Sequence, residues 1–71
     1  MTSDELRQLR TGQEVNTPDG IGQAYEIVLT QQGERLLRVT HKIPVIVDKQ
    51  TRTRTIWRDY RAEEITCNSA L

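Results

Sequence analysis

Phenylalanine is missing from this 71-residue chain, which has one tryptophan and two tyrosines. Its core must therefore rest on valine, isoleucine and leucine. A chain this short buries only about 60% of the surface it exposes when unfolded, which leaves little room for a wide ligand cavity. A single cysteine, Cys67, cannot close an intramolecular disulfide, and this favours a reducing, cytoplasmic setting. With one histidine, His41, far from that cysteine, there is no cluster of metal-ligand spacing, so no metal site and no cofactor are expected. No run approaches the roughly 18 apolar residues of a membrane span, and MTSDELRQLR lacks the basic start and apolar centre of a secretion signal. The chain reads as soluble, without membrane contact. Ten basic residues balance ten acidic ones, so net charge gives no global drive toward nucleic acid.

The inventory for catalysis is equally sparse. Nucleophilic chemistry would need His41 beside Cys67 or a serine, and Cys67 falls in the segment 67–71 that reads as a flexible tail. The ordinary reading of His41 is a solvent-facing strand residue; sharing odd parity with Leu37 and Val39, it would alternatively cap the end of the core. Glu63 and Glu64 are adjacent on a strand pattern, face opposite ways and cannot share a proton. Gly20-x-Gly22 lacks the helix, the third glycine and the lysine of a phosphate-cradling loop. No catalytic residue is expected, and the chain does not read as an enzyme.

What is present is turn chemistry and a period of two. Residues 1–11 start with an N-capped helical turn, Ser3 before Asp4 and Glu5, with Leu6 and Leu9 as its apolar contacts. In GQEVNTPDGIGQA, from Gly12, Pro18 and Asp19 suit the centre of a reversal and Gly20 the positive φ that completes it. Gly22, inside the next strand, suggests a bulge or a close backbone approach. Tyr25, Ile27 and Leu29 then alternate with Ala24, Glu26 and Val28, and after Gln31-Gln32-Gly33-Glu34 Leu37 and Val39 alternate with Arg38 and Thr40, which predicts two antiparallel strands with a mostly apolar odd face. The second continues through Ile43 to Val47, with Pro44 marking a kink or an edge. Asp48 to Thr51 reverses the chain, Arg52 to Trp57 returns as a strand, Asp59 to Ala62 reads as a 3₁₀ turn, and Glu64 to Thr66 as a last short strand.

Five strands in this order, with the Gly12-x-x-Val15-x-Thr17-Pro18-x-Gly20-x-Gly22 opening and the closing Tyr60-x-x-Glu63-Glu64-Ile65, resemble the KOW, CarD-type and Tudor-like members of the SH3-like small barrels. A fainter similarity, through Pro44-Val45-Ile46-Val47 and the acidic closing strand, is to the SH3-like accessory subunit of photosystem I. The resemblance implies an all-β, five-stranded SH3-like barrel over residues 12–66, and it leaves function to be argued from a site.

The one candidate site is basic and aromatic: Arg52, Arg54, Trp57, Arg58 and Tyr60. In a regular strand Trp57 faces away from the arginines. Turned inward, it supplies the large core side chain that a chain without phenylalanine needs; with a bulge before the Asp59 turn it would join Tyr60 at the surface. The resemblance makes Tyr60 a contributor to a groove near the closing turn. Lys42, Lys49, Arg52 and Arg54 are candidates to line one sheet face and meet phosphates, or simply to keep an edge strand soluble. Charge is also uneven along the chain: residues 1–34 carry two arginines against six carboxylates, and residues 35–71 eight basic groups against four acidic ones. The expected function is that of an interaction module or small accessory subunit binding a protein partner through a barrel edge or groove. Self-association through an edge strand, and nucleic-acid binding through Arg52, Arg54, Arg58 and Lys49, are the alternatives.

Overall fold

The computed structural model describes residues 1–67 and is mostly strand. One helical turn, α1 (Ser3–Leu6), precedes β1 (Glu14–Thr17), β2 (Gly20–Leu29), β3 (Arg35–Val47) and β4 (Gln50–Arg61). A 3₁₀ turn, Ala62–Glu64, leads into a two-residue bridge, β5 (Thr66–Cys67). The four longer strands form an antiparallel sheet in the order β4-β3-β2-β1, and β5 adds to the outer side of β1. Cys67, expected in a free tail, pairs with Val15; the rest of that expected tail, 68–71, lies outside the described residues.

Local chemistry explains the turns. The helix cap is Thr2 rather than Ser3: the Glu5 amide donates to Thr2 Oγ1 at 3.2 Å and the Thr2 amide to Glu5 Oε1 at 2.9 Å, a reciprocal box. That backbone bond holds the Glu5 carboxyl below its usual range. Pro18 and Asp19 join β1 to β2, and the positive φ of 110° falls on Gly20. The 3₁₀ turn starts at Ala62, later than Asp59, because β4 stays paired with β3 as far as Arg61 opposite Leu36.

Leu6, Val15, Ala24, Leu37, Val39, Tyr60, Ala62 and Ile65 form the core, with Met1 and Leu9 packed against it. Gly22 is where β2 presses on β3. A Cβ there would lie 2.8 Å from the Thr40 carbonyl oxygen and would also collide with the Val39 side chain. The bulge itself comes later: Ala24 opposes Val39 and Glu26 opposes Arg38, leaving Tyr25 as the extra residue. This corrects the expectation of one continuous odd-numbered core face on β2. Before the bulge Gly22 and Ala24 point inward, and Tyr25 is expelled to the outer face.

The two halves of the β3–β4 hairpin differ. From Leu36 to Thr40, β3 lies between β2 and β4; its last β2 pairing is Thr40 with Gln23. From Lys42 to Val47 it pairs with β4 alone, so residues 42–55 form a two-stranded ribbon running beyond the rest of the sheet. Pro44 sits in this unsupported stretch, opposite Thr53, where β3 has a free edge to accommodate a residue without an amide hydrogen. At the tip Asp48 and Lys49 adopt φ of 51° and 62°, the left-handed conformation of a tight hairpin turn, without a glycine at either position.

Candidate interaction surface

The register of β3 against β4 assigns each ribbon side chain to a face. Ile43 opposes Arg54 and Val45 opposes Arg52, so three aliphatic residues of β3 (Ile43, Val45, Val47) and the arginines of β4 share one face, which continues the inner face of the sheet. Lys42 opposes Thr55 on the other face, together with Pro44, Ile46, Thr51 and Thr53. Lys42, Lys49, Arg52 and Arg54 therefore do not line one sheet face. Arg52 and Arg54 are on the inner side, Lys42 on the outer side and Lys49 at the tip. Pairing through the long ladder alternates the faces, which is why a cluster in sequence becomes a ring in space.

The ribbon is exposed over nearly its whole length. Ile46 is 80% accessible, and Ile43 and Val47 are also exposed. Among the described residues, none of Lys42, Lys49, Arg52, Arg54 or Arg58 makes an ion pair, whereas Arg35, Arg38 and Arg61 of the body do. Arg38 holds Asp59 at 3.0 Å and Glu26 at 3.1 Å, Arg35 meets Asp4, and Arg61 meets Glu34. The Asp59 and Glu26 carboxylates keep the Arg38 guanidinium firmly charged.

Trp57, a candidate for either the core or a surface site, is 54% exposed. It opposes Thr40 on the outer face at the root of the ribbon and stacks on the expelled Tyr25, ring centroids 4.8 Å apart. The bulge leaves Tyr25 and Glu26 both on the outer side opposite Arg38, so that Ile27 returns to the inner face. Tyr60, expected at a surface groove, is buried opposite Leu37 and cannot present its ring to a partner. Its large side chain fills the core position that Trp57 does not.

His41 is buried as well, a correction to the solvent-facing reading and in keeping with a histidine that caps the core. Nδ1 faces the Ile21 carbonyl at 3.2 Å. Nε2 lies 2.8 Å from the Tyr60 hydroxyl, which in turn donates to Asp19 Oδ2 at 2.7 Å. Burial, reinforced by the Asp19 charge, pushes the Tyr60 phenol up, against the opposing pull of Thr17 and Arg58. Asp19 thus ties the β1–β2 turn to the core. No spacing in the sequence links positions 19, 41 and 60; the only signal was the odd parity of His41.

Clefts border this surface. One, about 260 Å³, lies between the N-terminal segment and β2, lined by Leu6, Leu9, Arg10, Tyr25 and Ile27. A smaller one borders Glu14, Gln23 and Lys42. Among the described residues no three or more His, Cys, Asp or Glu side chains gather as a metal site, and no helix is long and apolar enough to cross a membrane. No family model, curated protein or solved structure matches the chain.

Proposed function

We propose that this protein is a non-enzymatic interaction module, an SH3-like small barrel whose contact element is the β3–β4 ribbon. The meander order, the 3₁₀ turn before the last strand and the return of Thr66–Cys67 to β1 support the barrel reading. The observation that carries the function is the ribbon itself: residues 42–55 run past the core with exposed isoleucine and valine side chains and unpaired cations. Leaving such apolar surface in water forgoes about 25 cal/mol for each Å² that contact with another molecule would cover. The body has no use for this stretch, since the core residues end at His41 on β3 and begin again at Tyr60 on β4. The outer edge of β4 is free among the described strands and offers main-chain hydrogen bonds, with the arginines and the Tyr25–Trp57 pair providing selectivity.

A photo-crosslinking side chain placed at Thr53 on the ribbon, and separately at Glu63 on the 3₁₀ turn, tests this in living cells whatever the class of partner. Covalent adducts at Thr53 with none at Glu63 are expected. Adducts at Glu63 with none at Thr53 would refute the assignment.

A further inference from the structure

Resting on the reading that the ribbon is the contact element, we propose that its occupant is double-stranded DNA, with the ribbon lying in the major groove. Between residues 42 and 58 the chain carries Lys42, Lys49, Arg52, Arg54 and Arg58 against the single acid Asp48. Among the described residues none of these cations makes an ion pair with the body, so each is available to a phosphate. The zero net charge of the chain conceals this separation. The carboxylates Asp4, Glu26, Glu34 and Asp59 are taken up by Arg35, Arg38 and Arg61, and the body has no surplus positive charge to lead it onto a polyanion.

Arrangement favours a groove over a flat anionic surface or an added strand. Cations occupy both faces and the tip of the ribbon, as insertion between two phosphate walls requires, whereas a peptide along the β4 edge would leave Lys42 and Lys49 without a role. Six residues of strand span about 20 Å, and the major groove of B-DNA, about 12 Å wide, admits a two-stranded ribbon. Ile46 and Val47 near the tip and Pro44 along the outer face provide apolar contacts for thymine methyl groups. Duplex RNA is disfavoured because its major groove is too deep and narrow for side chains to read. A second copy is disfavoured because antiparallel pairing of the Thr51–Thr55 edge with itself opposes arginine to arginine.

The test is fluorescence anisotropy of a labelled 20-base-pair mixed-sequence DNA duplex from 50 to 200 mM salt, with duplex RNA of the same sequence alongside. Five phosphate contacts give a slope of about −4.5 in log K against log salt, about a 500-fold loss over that range. Arg52→Gln with Arg54→Gln, both exposed and without ion pairs, should bring the slope to about −2.7, while the equal charge change Arg7→Gln with Arg10→Gln should leave it near −4.5. Absence of DNA binding at 50 mM salt, equal effects of the two double variants, or equal affinity for duplex RNA would each overturn the proposal. If DNA fails while the Thr53 photo-crosslink to a protein persists, the ribbon remains the contact element and only its DNA assignment falls. If both fail, both readings fall.

Discussion

Replacing Tyr60 with phenylalanine keeps the ring that fills the core and removes only the hydroxyl that joins His41 to Asp19. The two losses are unequal. Asp19 is exposed, so its carboxylate regains water and the missing bond costs little. His41 is 6% exposed, and its Nε2 is left without a partner, which costs about 1–3 kcal/mol. A domain of this size has about 4–10 kcal/mol of stability in total, so the change is a large fraction of it. At roughly 4–8 °C per kcal/mol, Tm should fall by about 4–24 °C. Urea and thermal unfolding followed by far-ultraviolet circular dichroism measure this directly, with Tyr25→Phe as the control: the Tyr25 hydroxyl has no hydrogen bond among the described residues, its ring stacks on Trp57 at the surface, and that change should stay within about 0.5 kcal/mol. The same variant carries a pH signature. The folded Tyr60 phenol titrates above its ordinary value near 10, so its contribution is complete below pH 10. It is lost as pH rises from there through the folded value, because the unfolded chain ionises first. Tyr60→Phe should remove that alkaline loss. A Tm within 2 °C of the parent, or an unchanged alkaline slope, would show that the hydroxyl does not satisfy His41.

Three further substitutions probe the backbone, the tip and the root of the ribbon. Gly22→Ala forces a methyl group against the Thr40 carbonyl and the Val39 side chain, and should destabilise by about 2 kcal/mol or more in urea unfolding. Lys49→Gly removes the strain of a left-handed lysine, about 1–2 kcal/mol, at an entropic cost of about 0.5–1 kcal/mol, so amide exchange at residues 46–51 should slow by a few fold. Trp57→Ala separates an exposed aromatic pair and should cost about 0.5–1.5 kcal/mol, well below the loss expected of a core tryptophan.

Much of the fold was legible because its signals are local. Proline at 18, glycines at 20 and 33 and the acid-rich start of the helical turn act through their own backbones, and the reversals fall where those residues put them. Arg52 and Arg54 were correctly placed on the face opposite Trp57, since alternation within one strand is also local. Of the two readings of Trp57 the exposed one holds, whereas Tyr60, read as a surface contributor, is buried. A period of two reveals that a strand has two sides, but it does not say which side is covered or for how far.

Residue order by itself determined the strands, their reversals and the alternation of side chains along each, because these follow from φ preferences and the pleat of a single segment. Tertiary structure alone decided three things. A one-residue bulge at Tyr25 switched the inward parity of β2 from even to odd and left that ring on the outer face beside Trp57. The approach of Gly22 to β3 and the turn at Asp19 brought His41 and Tyr60 into one buried network. And β3 and β4 outran their neighbours, so that a pattern continuous from Leu37 to Val47 is core at one end and open ribbon at the other. Each depends on the register and length of strands distant in sequence, which no single segment encodes.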